Sequence, residues 1–570
     1  MGAYATLNGV RIGETMTNQF VRYRFPVPRD VWQRGRFQPR KELKHNEQQE
    51  QQQQQQHTLS ITFDPFISTN GRFMACSGGW DWAPYTRTGD DRGSRVFTFG
   101  ITDHVYLVQY THLTVVDVVP RVYYQGSYPR TPMWQGSQGD FLVQVNVHFD
   151  NPMDNYGDND DIDDDETFFP LMLLVQSNFS QPSLQTIPLQ GNETHVVVNL
   201  TASSDDIELW WPNGMGKQPL YLVKVALAMA NHSREDDDFH LVGPWIERRI
   251  GFRTLALVTA NDTDDAVLNA MIDNQTEGSG HHGMFFRING AAVWCRGANV
   301  IPMDQLEGRT NWDNGLSYRL MVRSAAMAQM NMLRVWGGGT VLPPQFYDAC
   351  DEMGILIYHD LMFVEEDNHG AVATDMVKRE IIQMVQKLSA HVSIVLWNGC
   401  NECDYFNNQT MEVYESFVMK VVAEVDDTRP IWPSSPSPFG WSQGVNMLDG
   451  RPNGKTLKVG KKHDHAIEVH GPYQHGYSAS FPGVNGGPSG NANETAIPPS
   501  FWPQDNNVGP SFRNLFVSEF GASVFSSFES MSPLLPKSAW SVHGGEAPDT
   551  CVPVVGNENA CNGTNAMAER

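Results

Sequence analysis

From residue 1 to about 115, apolar and polar residues alternate in short runs: VRYRFPV (21–27), LSITF (59–63) and HVYLVQY (104–110), punctuated by Gly, Pro and Asp. Period-two alternation puts successive side chains on opposite faces of a strand, so the block predicts part of a β-sandwich. The run QQEQQQQQQ at 48–56 interrupts it. A glutamine tract cannot bury apolar surface, and residues 46–57 are expected to be a disordered insertion.

A second β-rich block covers 116–257, where FLVQVNVHF, THVVVNL and LYLVKVALAM again alternate as half-buried strands do. It resembles an immunoglobulin-like sandwich. The run DNYGDNDDIDDDE at 154–166 lacks the ligand and glycine spacing of a calcium loop and predicts a solvated acidic insertion.

After GFRTLAL (251–257) the pattern changes to strands alternating with helices. Strands are expected at VWCRGAN (293–299), MLRVWG (332–337), ILIYHD (355–360), SIVLWNGCNE (393–402), PIWPSS (430–435), AIEVHG (466–471) and NLFVSEFG (514–521). Amphipathic segments such as PPQFYDACDEMG and ATDMVKREIIQMVQKLSAH lie between the early ones. Short apolar strands each followed by a helix predict parallel βα units, and seven of them predict a (β/α)8 barrel lacking its last unit. PVVG (553–556) is the only candidate for an eighth strand. The chain is expected to begin inside a domain and to stop short of a closed barrel.

Composition narrows the function. A chain of 570 residues exceeds one ordinary core, so several domains are expected. The formal net charge of -25 repels phosphate backbones and anionic lipid surfaces, which argues against nucleic-acid and membrane partners and for neutral ones. No apolar run reaches the roughly 18 residues that span a bilayer. No signal peptide is visible at the start. N-x-S/T sequons at Asn178, Asn192, Asn199, Asn231, Asn261, Asn274, Asn408, Asn493 and Asn562 point to glycosylation in a secretory, lysosomal/vacuolar or extracellular setting. Of the 7 cysteines, Cys551 and Cys561 could close a small loop. Cys400 and Cys403 form a CxxC with no second pair, a poor basis for zinc or thioredoxin chemistry.

In a barrel of parallel strands, chemistry gathers at the carboxyl ends of the strands. Glu402 and Glu519 each follow an apolar strand, the fourth and the seventh, where an unneeded carboxylate is costly. Paired carboxylates are what glycoside hydrolysis requires: one protonated to serve the leaving oxygen, one ionised to attack the anomeric carbon.

The segments RGANVIP (296–302), NMLRVWGGG (331–339), FYDACDEMGILIYHDLMF (346–363), LWNGCNE (396–402) and SEFG (518–521) resemble the barrel signatures of glycoside hydrolase family two, β-mannosidase type. GGWDWAP (78–84), LWWPNG (209–214) and IGFRTL (250–255) are similar to that family's sugar-site loop and immunoglobulin-like domain, in the family's order. The resemblance implies a multi-domain β plus α/β architecture. It comprises a partial amino-terminal jelly-roll-like sandwich over 1–115, an immunoglobulin-like sandwich over 116–257, a catalytic TIM barrel over 284–535 and an irregular tail over 536–570. It implies retaining hydrolysis of terminal β-mannosides, with Glu402 as acid/base, Glu519 as nucleophile, a glycan as partner and no cofactor. Asn401 would bind the sugar 2-hydroxyl, and Trp80, Asp81, Trp82, Arg334, Trp336, Asp360, Trp397, His470 and Tyr473 would complete the site. Other glycans of the same family, an endo-acting enzyme, an exo-β-glucosaminidase or an inactive carbohydrate-binding relative are the alternatives. Phe525 and SFPGVNGG (480–487) depart from the family's pattern where aglycone contacts would fall.

Overall fold

The computed structural model describes residues 2–15, 18, 20–38, 54–63, 100–101, 104–110, 113–126, 129, 131–133, 136, 138–150, 171–189, 194–230, 239–260, 276–278, 284–303, 314–364, 369–403, 413–436, 445–448, 457–459, 468–470, 516–519, 553–554 and 557–561. The chain divides into two compact units, Met1–Val469 with Arg513–Ser518, and His470–Phe512 with Glu519–Arg570.

The first unit opens with β1 (Ala3–Leu7) and β2 (Val10–Thr15), an antiparallel hairpin. Asn8 and Gly9 turn it at φ of 52° and 83°, the left-handed pair that a two-residue hairpin needs. A short helix α1 (Arg29–Gln33) follows, then β3 (Arg36–Gln38) paired with β4 (Gln54–Gln56), and β5 (Leu59–Phe63) on the other side of β1. Gln54–Gln56 therefore correct the expectation of a wholly disordered tract. Backbone pairing asks nothing apolar of the side chains, and these three residues have a partner strand. VRYRFPV is not a strand. Pro26 offers the ladder no N–H, and Arg22 and Arg24 instead reach Asp117 and Asp150 at 2.9 and 3.2 Å. HVYLVQY is likewise no strand: Tyr110 makes a side-chain contact, its Oη donating to Asp150 Oδ2 at 3.1 Å, and Tyr106 is 76% exposed.

The next region is two antiparallel sheets around one core. β6 (Thr114–Tyr124), β7 (Phe141–Asp150) and β10 (His195–Ala202) form one sheet, with β7 in the middle. The other holds β8 (Leu171–Ser177), β9 (Leu184–Pro188), β11 (Tyr221–Ala230), β12 (Phe239–Leu241) and β13 (Ile246–Ile250). Val143, Val145 and Val147 of β7 meet Leu171, Leu173 and Val175 of β8 and Val223 and Val225 of β11, all buried, as the alternation predicts. The acidic run 154–166 lies outside the described residues.

β14 (Leu255–Ala260), β15 (Thr276–Gly278), β16 (Phe285–Ile288) and β17 (Ala291–Val293) form a four-stranded sheet that leads into the α/β region. There β18 (Gly297–Val300), β19 (Met332–Val335), β20 (Leu356–Asp360), β21 (Ile394–Asn398) and β22 (Ile431–Trp432) run parallel, in sequence order. VWCRGAN thus splits: Val293 ends one sheet, Trp294 is 82% exposed, and the parallel strand starts at Gly297. Helices α2 (Leu316–Met327), α3 (Pro344–Met353), α4 (His369–Val372) with α5 (Asp375–Leu388), and α6 (Met419–Val425) fill the successive crossovers. The Thr374 side chain caps α5 by accepting from Val377 N at 3.2 Å, and α5 buries Val377, Ile381, Met384, Val385 and Leu388 on one face.

The LWWPNG segment shows why it precedes this region. Trp210 donates its indole N–H to the Asp351 carbonyl at 2.7 Å, and Asn213 N–H bonds the carbonyl of Gly354, the left-handed cap of α3. Arg253 donates to the carbonyls of Val392 and Ile394, both at 2.7 Å, fixing the start of β21. Beyond β22, β23 (Val445–Leu448) pairs with β24 (Leu457–Val459), and β25 (Glu468–His470) pairs with β26 (Phe516–Glu519).

In the second unit, β27 (Pro553–Val554) and β28 (Asn557–Cys561) form an antiparallel hairpin. Pro553 and Val554 are therefore paired with the strand that follows them, antiparallel, and the tail is not wholly irregular.

Candidate active site

Glu402 does not sit on β21 itself. The strand ends at Asn398, although Gly399 N–H still bonds the Trp432 carbonyl at 2.7 Å and passes so close to the next strand that a Cβ there would meet the Pro433 carbonyl oxygen at 2.4 Å. The ladder resumes at Asn401, which bridges in parallel to Val364 on one side and Ser435 on the other. Glu402 follows with φ of 57°, a left-handed conformation that only surrounding contacts can hold in a non-glycine residue. One such contact is its N–H on the Ser435 carbonyl at 2.7 Å. A disulfide joins Cys400 to Cys403 and so encloses Asn401 and Glu402. Glu402 is half-buried, and Asn401 is 2% exposed.

Arg334, at the end of β19, is the hub of this end of the sheet. Its Nε and Nη2 donate to the two oxygens of Asp360 at 3.2 and 2.7 Å, Nη2 also donates to Asn401 Oδ1 at 2.7 Å, and Nη1 donates to Asn299 Oδ1 at 3.3 Å. The guanidinium also lies over the Tyr358 ring, 5.5 Å from its centroid. Asn299 in turn donates to the Ser518 carbonyl at 3.3 Å. Arg334 thus holds the residue before Glu402 directly and reaches the residue before Glu519 through one asparagine.

Two expected sugar contacts have other work. Asp360 is fully buried and accepts from Arg334, from Gly337 N at 3.0 Å and from Asn398 Nδ2 at 2.9 Å. Its carboxyl is pushed up to about 6, because burial outweighs the Arg334 charge and the hydrogen bonds that favour ionisation. With its oxygens engaged inside the protein, it supports Arg334 rather than presenting itself to a ligand. Trp397 is fully buried as well, with its indole N–H on Asp426 Oδ2 at 2.9 Å and the Arg429 guanidinium 5.8 Å from its ring centroid. It belongs to the packing behind β21, where alternate side chains point away from the strand's functional face. Trp336, 6% exposed, packs against Val364 and Ile301 just past the end of β19.

His470 and Glu519, both in the second unit, lie side by side, with His470 Nδ1 3.5 Å from Glu519 Oε2. His470 is 1% exposed, and Glu519 is the final residue of β26. Trp80, Asp81, Trp82, Tyr473, Phe525 and the 480–487 segment lie outside the described residues.

Sequence reasoning passed over Glu468, Ser435, Asn299 and Asn398. Glu468 is fully buried and accepts from Tyr358 Oη at 3.0 Å, Trp432 Nε1 at 2.7 Å and Ser435 Oγ at 2.8 Å. An acidic residue two positions before His470, on the same predicted strand and hence on the same face, was the available signal.

Residues 1–101 match the family model described as the galactose-binding domain-like domain of glycosyl hydrolase family 2. That match, over the amino-terminal 101 residues, and the motif series above make the chain similar to glycoside hydrolase family two. Within the family the resemblance is to β-mannosidases. The chain is 26% identical over 417 residues to a Bos taurus β-mannosidase, covering 69% of this chain and 40% of that protein. It is 30% identical over 292 residues to β-mannosidase B of Thermothelomyces thermophilus, covering 47% of this chain and 30% of that one. The fold is similar to the crystal structure of a β-D-mannosidase from Dictyoglomus thermophilum, with a TM-score of 0.52 and 23% identity, over 78% of this chain and 48% of that one. The chain therefore spans about two fifths of the length of the bovine relative.

Proposed function

We propose that this chain carries the catalytic machinery of a retaining β-glycosidase acting on terminal, non-reducing β-mannosides. The observation that carries the reading is the Asn401–Glu402 pair, set where the β21 ladder resumes. It is held by Arg334 and Ser435, which also contact the residue before Glu519 directly or through Asn299. In the first step the Glu519 carboxylate forms a bond to the anomeric carbon as the glycosidic C–O bond breaks, and Glu402 gives its proton to the leaving oxygen. In the second, Glu402 takes a proton from water, whose oxygen displaces Glu519 and releases the sugar. Asn401 holds the 2-hydroxyl, where a bond that strengthens in the transition state helps most. No metal or organic cofactor enters these steps.

The five parallel strands are read as the described part of a (β/α)8 barrel over 284–535, and the two-sheet region as an immunoglobulin-like domain over 116–257. The amino-terminal domain over 1–115 supplies Trp80, Asp81 and Trp82 as an apolar platform and hydroxyl-binding carboxylate, while Trp336, His470 and Tyr473 line the sugar site. Asn178 and Asn199, both exposed, and the Cys400–Cys403 disulfide support a glycoprotein of the secretory pathway, lysosome or vacuole, or cell exterior. No helix among the described residues is long and apolar enough to cross a membrane.

Turnover of aryl β-mannoside, β-glucosaminide and β-galactoside by wild type, Glu519→Gln and Glu402→Ala tests the reading. Preference for the mannoside, loss of activity in Glu519→Gln and azide rescue of Glu402→Ala are expected. Full activity in Glu519→Gln would remove the nucleophile assignment, and preference for the glucosaminide would transfer the substrate to that class.

A further inference from the structure

Glu468 is a fully buried carboxylate that the proposed reaction does not use. Three neutral donors reach it from the two strands that flank β21 and the loop after one of them: Tyr358 on β20, Trp432 on β22 and Ser435 just beyond β22. A buried carboxylate is a costly way to fill space, whereas one that accepts several short hydrogen bonds fixes the orientation of each donor. Tyr358 is the more firmly held as a donor because burial, with the Glu468 charge second, raises its hydroxyl well above the usual phenol range.

Ser435 carries this order to the proposed reacting residues. Its hydroxyl donates to Glu468 at 2.8 Å and lies 3.2 Å from Ser518 Oγ, while its carbonyl accepts the N–H of Glu402 at 2.7 Å. Glu468 is thus separated by a single residue from Glu402, and by the same residue from Ser518, which precedes Glu519 in the chain. We infer that Glu468 is a positioning residue. Through Ser435 it sets where the Glu402 backbone stands and hence where Glu402 presents its proton to the leaving oxygen. This rests on the glycosidase reading of Glu402.

The consequence is specific to acid catalysis. A misplaced Glu402 harms departure of a poor leaving group, which needs the proton, far more than departure of a good one, which does not. The test compares kcat/KM of wild type, Glu468→Gln and Ser435→Ala on phenyl β-mannoside and on 2,4-dinitrophenyl β-mannoside. A 2-deoxy-2-fluoro mannosyl fluoride counts competent sites in each preparation. Expected is a loss on the phenyl substrate at least tenfold greater than on the dinitrophenyl one in both variants, with the trapped fraction unchanged. An equal loss on both substrates, no loss on either, or failure of both variants to fold would overturn the inference, the last by assigning Glu468 to stability alone. Absence of turnover in wild type would instead strike the glycosidase reading.

Discussion

Replacing Arg334 with Met removes the cation beside Asp360 while keeping most of the side-chain volume. Asp360 is fully buried, and its carboxyl stands at about 6 with Arg334 in place, against about 4 for an exposed Asp. Because the folded value is raised, this group's contribution to stability is fully present below pH of about 4 and is lost as pH rises through 6. At about 1.4 kcal/mol per pH unit, the loss in the wild type is about 3 kcal/mol and then levels off. Without Arg334 the carboxyl keeps its proton to higher pH, so the decline continues and reaches about 5 kcal/mol by pH ~7.5. The variant should therefore be about 2 kcal/mol further below wild type at pH ~7.5 than at pH ~5.5, on top of a pH-independent loss of the bonds to Asn401 and Asn299. Urea unfolding followed by tryptophan fluorescence at the two pH values measures this. Other titrating groups, His359 among them, are common to both proteins and cancel in the difference. The double variant Arg334→Met, Asp360→Asn should lose the part of the pH dependence that Asp360 contributes. A stability gap that is the same at both pH values would refute the idea that Arg334 serves to keep a buried carboxylate ionised.

Reduction of the Cys400–Cys403 disulfide by dithiothreitol should release about 2 kcal/mol of conformational restraint on the enclosed Asn401–Glu402 segment, lowering kcat on aryl β-mannoside in wild type. The Cys400→Ser, Cys403→Ser double variant should not respond to the reductant, and an equal response would dismiss the clamp. Gly399→Ala puts a methyl group against the Pro433 carbonyl and should cost about 1–3 kcal/mol in thermal unfolding, with a parallel fall in kcat as Asn401 moves. Unchanged stability and kcat would mean that the close approach has no consequence. His359 is fully buried and pushed down to about 4 by burial, with Tyr347 Oη 2.9 Å from its Nε2 and its Nδ1 at 2.7 Å from the Asp360 carbonyl. Its folded value is depressed, so its contribution is present above pH ~6.5 and falls by about 3 kcal/mol as pH drops to ~4; His359→Gln should therefore show a shallower acid decline of Tm, and an identical decline would contradict it.

The strands of the α/β region were legible because parallel strands covered on both faces read as continuous apolar runs. The same continuity hides which face each side chain takes. Trp397 and Asn398 are adjacent in one such run, yet the indole goes to Asp426 and the amide to Asp360. Asp360 misled for a related reason: a carboxylate ending a strand reads as a ligand contact until its neighbour is known. Arg334 is 26 residues away in sequence but on the adjacent strand, where its register partner Tyr358 stands two residues before Asp360, and it takes up both carboxylate oxygens. Asn401 and Glu402 stand close to the strand end expected for them in spite of the break at Gly399, since the sequence distance to the strand's end hardly changes when a ladder skips two residues and resumes. Glu468 was missed because its meaning lies in Tyr358, Trp432 and Ser435, residues that only the order of the sheet brings together. A strand-end carboxylate is therefore best assigned by asking which cation or donor the neighbouring strand places beside it. By that test Asp360 is taken up by Arg334 and Glu468 by Tyr358, Trp432 and Ser435, while at half-buried Glu402 the segment after the neighbouring strand secures the backbone, through the Ser435 carbonyl.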